Sequence, residues 1–144
     1  MRADVVVIGV YGAPESSTGR RDKGRTKGGK ESNRTLENTG PRKYIVIEFD
    51  QGTFDEHAAL LLHLATFAPL ALAVHSGGKS IHGYFVCGTQ EESCLRKFME
   101  YAVSLGADRA TWTRCQLVRL PDGTRSNGVR QRVIFFNPSI LEAK

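Results

Sequence analysis

The sequence predicts an α+β domain whose elements follow the order β-α-β-β-α-β, with an added hairpin strand. Short runs of β-branched and aromatic residues alternate with two segments in which apolar residues recur at helical spacing. Glycine and proline separate these segments, as expected at turns. The chain has 144 residues, of which 40% are hydrophobic and 24% charged, which fits one soluble globular domain with a single core.

Residues 1–42 are expected to form a disordered basic segment before a folded domain of residues 43–144. The net charge of +5 has its whole excess in residues 1–43, which hold ten Lys or Arg against five Asp or Glu. Residues 5–10 resemble a strand, but residues 16–40 contain Leu36 as their only large apolar residue. Such a composition buries too little surface to offset the entropy of ordering. A basic arm that touches nucleic acid and a solvated tail both fit it.

The three cysteines, Cys87, Cys94 and Cys115, contain no Cys-x-x-Cys pair and cannot all pair with one another within the chain. This pattern predicts a reduced, cytoplasmic setting and argues against a zinc cluster. The apolar run at residues 5–10 is too short to span a bilayer and follows Asp4, so no membrane partner and no signal peptide are expected.

The first strand is predicted over residues 44–50, a β-branched and aromatic run. The pattern Thr53-Phe-Asp-Glu56 then predicts a capping box at the start of the first helix, and Pro69 ends that helix. Apolar residues at helical spacing predict its buried side, namely Ala58, Leu61, Leu64, Ala65 and Ala68.

Residues 70–75 and 81–87 are the predicted second and third strands, joined by a glycine turn. The pattern Thr89-Gln-Glu-Glu92 repeats the capping box before the second helix, which stops at Gly106. The buried stripe of this helix is predicted to be Leu95, Phe98, Ala102 and Leu105.

Residues 115–120 and 132–136 are the predicted fourth and fifth strands, with a Pro-Asp-Gly turn between them. This order of elements is that of the ferredoxin-like split β-α-β fold, which RRM domains share. Its usual strand order, 4-1-3-2, places strand 1 beside strands 3 and 4, both antiparallel to it. The end of strand 1 is therefore expected to meet the start of strand 3.

Glu48 and Asp50 flank Phe49 at the end of the first strand, and side chains two residues apart point to the same face of a strand. Paired carboxylate oxygens suit a hard divalent cation such as Mg²⁺ or Mn²⁺. Acids at a strand end are more commonly turn residues. Asp108, before the predicted fourth strand, is the best-placed further carboxylate for a two-metal site, although alone it also fits a loop acid or a helix cap.

The string His75-Ser-Gly-Gly-Lys79-Ser80-Ile-His82 combines a glycine turn with a cation, a hydroxyl and an imidazole. Backbone N–H groups and Lys79 in such a turn offer donors to a phosphate. The string is not a P-loop, because Ala73 stands where that motif needs glycine and a strand follows it instead of a helix. An ordinary hairpin turn is the alternative, and His82 gains weight only from its predicted place beside the acids.

The remaining polar residues are less specific indicators of function. His57 and His63 on the first helix are expected to be surface or flank residues with no role in the site. Arg119 and Arg125 are expected on or near a hairpin, where they could pair with phosphates or the template backbone. For Arg130 and Arg132 a solvated hairpin face is an equal contender. The chain has no His-x-His pair, which counts against a rolling-circle endonuclease on the same fold.

Residues 75–85 resemble the second motif of the archaeo-eukaryotic primase superfamily, a small-residue or glycine turn followed by Ser-x-His. Residues 48–50 are similar to its first motif, an acid-x-acid at a strand end. Asp108 and the arginine-containing stretch behind it resemble the third region of plasmid- and phage-type primase-polymerases. The resemblance covers about residues 43–138.

The resemblance implies a catalytic core that uses two divalent ions, Mg²⁺ or Mn²⁺, to add nucleotides from NTP or dNTP to a 3′-hydroxyl in DNA replication. The implied catalytic and metal-binding residues are Glu48, Asp50 and Asp108. The implied nucleotide-binding residues are Lys79, Ser80, His82 and Arg119. The implied partners are a nucleic-acid template or primer strand, nucleoside triphosphates and a separately encoded helicase.

Members of this superfamily usually carry a folded α/β unit before the first motif, where this chain has low-complexity sequence, so a truncated core is expected. The alternative is a non-catalytic RRM-like module that binds nucleic acid in a replication complex. An RRM stacks bases on aromatic residues of its central strands, and Tyr44 and Tyr84 are the candidates for that role here.

Overall fold

The computed structural model describes residues 24–32, 35, 42–114, 118 and 121–142. These residues form an α+β domain, which confirms the predicted fold class and is roughly compatible with a small ferredoxin-like fold. The strands are β1 (Gly24–Arg25), β2 (Glu31–Ser32), β3 (Tyr44–Glu48), β4 (Leu70–His75), β5 (Ile81–Val86) and β6 (Val133–Phe136). The helices are α1 (Phe54–Leu64), α2 (Glu92–Ser104), a 3₁₀ helix (Arg109–Trp112) and α3 (Ser139–Glu142).

The main sheet has the order β3-β5-β4-β6, and every neighbouring pair is antiparallel. The first three of these are the predicted strands 1, 3 and 2, in the relative order expected. The predicted fourth strand at 115–120 lies outside the described residues except for Val118. Beside the end of β3, Phe49 forms an antiparallel bridge with Ala107, just after α2. The predicted fifth strand is β6, which forms the opposite edge beside β4.

Side-chain alternation divides the sheet between two apolar clusters. One cluster lies between the sheet and helices α1 and α2. It includes Ile45 and Ile47 of β3 and Phe49, the residue that directly follows β3. The cluster on the opposite face contains Val46 and, from neighbouring strands, Val74 and Tyr84. Because Glu48 lies two residues after Val46, it belongs to the face that the two helices do not cover.

The capping box predicted at Thr53 is confirmed. Thr53 Oγ1 accepts a hydrogen bond from the Glu56 backbone N–H at 3.3 Å, and Glu56 Oε2 accepts one from the Thr53 N–H at 2.7 Å. The bond from the Thr53 N–H, and after it a bond from the Thr53 hydroxyl to Glu56 Oε2 at 3.0 Å, lower the pKa of the Glu56 carboxyl below its usual value. The second predicted box is wrong, because α2 begins after Glu91, which makes no side-chain cap bond, and Thr89 lies two residues further out.

Replacing Thr53 with alanine is expected to lower the free energy of unfolding by about 1 kcal/mol, because an N–H of the first turn loses its acceptor. Urea denaturation followed by circular dichroism measures this change. Thr89→Ala is the matched control, since Thr89 is exposed and is not the N-cap of α2. Its effect should stay within about 0.5 kcal/mol. Equal losses in the two variants would contradict the role given to Thr53.

His57 is fully buried, so its expected place at the surface is wrong. It lies on α1 four residues before Leu61 and seven before Leu64, and this spacing puts the three side chains on one helical face. Its Nε2 is 2.8 Å from the Gln51 carbonyl oxygen, which provides the polar partner that a buried imidazole needs. His63 is exposed, as expected.

Strands β1 and β2 form a hairpin within the segment expected to be disordered. The Thr26 N–H donates to the Lys30 carbonyl at 2.9 Å, and the Gly29 N–H donates to the Thr26 carbonyl at 2.8 Å. Gly29 has φ 78°, a conformation that glycine adopts without a steric penalty. Residues 24–32 therefore have regular structure where the composition predicted none. The possible strand at residues 5–10 lies outside the described part of the chain.

The longest helix of the described residues is α2, with 13 residues. No helix within the described ranges combines the length and the apolar character needed to cross a membrane.

Candidate active site

The end of β3 and the start of β5 bring an acid and a histidine into contact. Glu48 and His82 are directly opposed in the antiparallel ladder. Glu48 Oε2 lies 2.8 Å from His82 Nε2, and the His82 side chain is 7% exposed while that of Glu48 is 21% exposed. The proximity expected from the strand order is therefore present, on the sheet face that α1 and α2 leave uncovered. The roles assigned to these side chains stay predictions.

The glycine turn between β4 and β5 places two hydroxyls beside this pair. The Ser76 N–H donates to the Ser80 carbonyl at 2.9 Å and closes the turn, and Gly77 has φ 71°, which favours glycine. Ser76 Oγ accepts from the Ser80 hydroxyl at 3.1 Å and from the Ser80 N–H at 3.3 Å. Ser80 Oγ is 3.4 Å from His82 Nε2. Ser76 was not among the predicted site residues, although it belongs to the same motif.

The same imidazole nitrogen of His82 faces both Glu48 and Ser80, and this limits the reactions in which the three side chains could act together. His82 Nε2 faces Glu48 Oε2 and Ser80 Oγ, whereas His82 Nδ1 is buried and has no hydrogen-bond partner. A Ser-His-acid relay uses the two different ring nitrogens, one toward the hydroxyl and one toward the carboxylate. The arrangement is therefore not that of a serine hydrolase. It fits an imidazole that orients a carboxylate and a hydroxyl toward a third group.

Arg125 covers the glycine turn from a distant part of the chain. Its Nη1 donates to the Gly77 carbonyl at 3.2 Å, and the same nitrogen would lie 2.8 Å from a Cβ placed on Gly78. A side chain at position 78 would therefore require the guanidinium to shift from this place on the turn. The sequence suggested Arg125 for phosphate contacts without locating it, because a separation of 48 residues leaves no local signal. Lys79 is exposed at the turn, and Arg119 lies outside the described residues.

The predicted carboxylates are only partly assembled. Asp50 is exposed and lies two residues after Glu48. The Asp108 N–H donates to the Glu48 carbonyl at 2.9 Å, so the two residues are neighbours through the backbone. Asp108 Oδ1, however, accepts from the Ala110 N–H at 2.9 Å and caps the 3₁₀ helix. Within the described ranges, no three His, Cys, Asp or Glu side chains are grouped so that they could hold a metal ion.

The donor chemistry at the end of β3 still fits a small hard cation. Mg²⁺ is commonly bound through one or two carboxylates, with substrate phosphates and waters completing its octahedron. Glu48 at the end of β3 and Asp50, two residues further on, are the candidates for such a pair. The metal-binding role of all three acids stays a prediction.

Comparisons with protein-family models, with curated proteins and with solved structures found no match to this chain. The family resemblance of the two motifs therefore stays a prediction, and the geometry around Glu48 and His82 is what supports a function.

Proposed function

We propose that this chain is a nucleotidyltransferase core of the primase-polymerase type, which adds nucleotides from a nucleoside triphosphate to a 3′-hydroxyl. The observation that carries the proposal is the pair of Glu48 and His82, 2.8 Å apart, bordered by a glycine turn that bears two serines and is covered by Arg125. Carboxylates for a cation and donors for a polyphosphate thus meet at one edge of the sheet.

In this proposal Glu48 and Asp50 hold Mg²⁺ or Mn²⁺ together with the phosphates of the incoming nucleotide. When bound, such ions lower the pKa of the attacking hydroxyl and neutralise charge on the leaving pyrophosphate. His82 holds the Glu48 carboxylate in place through Nε2. Asp108 supports the same edge through its backbone bond to Glu48.

The phosphates are assigned to the glycine turn. The Ser80 hydroxyl, beside His82, exchanges its bond to Ser76 for one to a phosphate oxygen, and exposed Lys79 supplies a positive charge at the tip of the turn. Arg125 adds a guanidinium, which has five donors and pairs well with phosphate oxygens. Together they would neutralise part of the charge on a triphosphate placed against the turn.

An RRM-like binding module is supported less well by the same face. Tyr84, the central-strand candidate for base stacking, is 3% exposed. Burial raises the pKa of its phenol well above the usual value, and the charge of Glu48 raises it further. A ring that is out of contact with solvent offers no surface for a base to stack on.

The test is twofold. Primer extension with a labelled primer on a single-stranded template, with either four dNTPs or four NTPs, should require Mg²⁺ or Mn²⁺. Isothermal titration calorimetry should show that ATP or dATP binds only when Mn²⁺ is present. If neither triphosphate binds in the presence of the metal but a single strand binds tightly, the nucleotidyltransferase proposal is wrong and the RRM-like binding module is favoured.

His82→Gln is expected to weaken metal-dependent triphosphate binding about tenfold, because a hydrogen bond to a charged group is worth on the order of 1.5–3 kcal/mol. Glutamine lacks the rigid ring, so its amide is not held against the Glu48 carboxylate and the contact with Ser80 is lost. His63→Gln is the matched control, since His63 is an exposed histidine on α1. Unchanged affinity in the His82 variant would contradict its assigned role.

A further inference from the structure

A cavity lies on the helical side of the domain, between α2 and the 3₁₀ helix. Its volume is about 390 Å³, within the range of roughly 300–1,000 Å³ that is usual for small-ligand pockets. Met99, Val103 and Trp112 give it an apolar surface, and Arg96 and Arg109 contribute positive charge. None of these residues belongs to the candidate active site.

The indole of Trp112 is held by arginine. The Arg42 guanidinium carbon lies 4.1 Å from the centroid of the Trp112 ring, and that of Arg96 lies 5.3 Å from it. The Arg42 side chain is 4% exposed and donates from Nη2 to Glu92 Oε1 at 3.2 Å. Its Nε and Nη1 are buried without a hydrogen-bond partner. Arg42 is therefore a buried support for the indole, whereas Arg96 is exposed.

The charge of the cavity favours an anionic ligand. Among its described lining residues, Arg96 and Arg109 face a single acid, Glu100. An aromatic ring beside cationic side chains is the arrangement by which proteins hold single-stranded nucleic acid, since the base stacks and the phosphates pair with arginine. A ligand that is apolar and planar at one end and anionic at the other would use both parts of the wall.

We propose that this cavity binds one nucleotide of a single-stranded nucleic acid, with the base against Trp112 and the backbone phosphates at Arg96 and Arg109. The 3₁₀ helix that carries Arg109 and Trp112 follows Asp108, whose N–H is bonded to the Glu48 carbonyl. The 3₁₀ helix therefore connects the wall of the cavity to the end of β3 through the backbone. The proposal goes beyond the nucleotidyltransferase function and needs neither metal nor triphosphate.

Trp112 is the only tryptophan in the chain, so its fluorescence reports on this cavity alone. Titration of the full chain with (dT)12 or (rU)12, in EDTA and at low salt, should quench the fluorescence to saturation. Trp112→Leu should weaken the binding of a labelled (dT)12, measured by fluorescence anisotropy, by about 10- to 100-fold.

The double variant Arg96→Gln/Arg109→Gln keeps the indole and changes two exposed residues, so it tests the site even where Trp112→Leu fails to fold. It should weaken binding about tenfold and reduce the slope of log affinity against log salt by about 1.4, which is 0.7 for each lost phosphate contact. Lys30→Gln/Lys97→Gln removes the same charge from two exposed positions outside the cavity and should leave the quenching unchanged.

Three outcomes would overturn the proposal. The first is equal affinity of the chain for (dT)12 with and without the arginine pair. The second is quenching by free dTMP as strong as that by the strand at equal nucleotide concentration, which would indicate a site for free nucleotide. The third is equal quenching by poly-glutamate, which would indicate a site for acidic peptide. Binding of (dT)12 that survives Asp50→Asn, with metal-dependent triphosphate binding lost, separates this site from the proposed active site.

Discussion

Asp50→Asn is expected to abolish metal-dependent nucleotide transfer, with a loss of about 100-fold or more. An amide keeps the size of the side chain but removes the negative charge that a divalent cation requires. Asp50 is exposed, so the substitution should leave the melting temperature close to that of the wild-type chain. Primer extension and titration of dATP in Mn²⁺ measure the two effects.

Asp55→Asn is the matched control for this experiment. Asp55 is an exposed aspartate five residues further on, in the first turn of α1, and its loss removes the same charge without touching the proposed metal pair. Transfer activity should remain near the wild-type level in this variant. Full activity of the Asp50 variant, with the fold intact, would remove Asp50 from the proposed metal pair.

Gly83→Val is expected to lower the free energy of unfolding by about 1–3 kcal/mol, because it adds side-chain volume to a packed core. A Cβ on Gly83 would lie 2.5 Å from Leu61 Cδ2 and 3.2 Å from Phe85 Cε2. Both neighbours are buried, with exposures of 2% and 1%, so neither can move aside freely. For a domain of this size each kcal/mol lowers the melting temperature by about 4–8 °C, which differential scanning calorimetry resolves.

A double-variant cycle identifies the cause of the Gly83 effect. Leu61→Ala alone should cost about 2–5 kcal/mol, but it also empties the space that valine at 83 would need. The combined variant should therefore be more stable than the sum of the two single losses predicts. Gly28→Val, in open space at the hairpin between β1 and β2, is the control. Strict additivity of Gly83→Val and Leu61→Ala would contradict the steric explanation.

Local signals in the sequence located most elements of the fold. The Thr53 pattern predicted the start of α1, because a capping box depends on four consecutive residues. The same pattern at Thr89 did not predict the start of α2 correctly, because the N-cap of that helix is Glu91, two residues later. The prediction for His57 was wrong because it rested on the polarity of the side chain. The helical spacing between His57 and Leu61 decides that both side chains are buried.

The candidate site also has features that the sequence predicted and features that it could not predict. The sequence by itself predicted that Glu48, Ser80 and His82 share an edge, because the positions of the strands follow from local patterns and their order follows from the usual arrangement of the predicted fold. Only the tertiary structure decided that Arg125 lies on the glycine turn, that the Asp108 carboxylate caps a helix and that Arg42 supports Trp112. These contacts join residues whose positions depend on how loops fold back over the sheet, and short-range sequence patterns carry no information about that path.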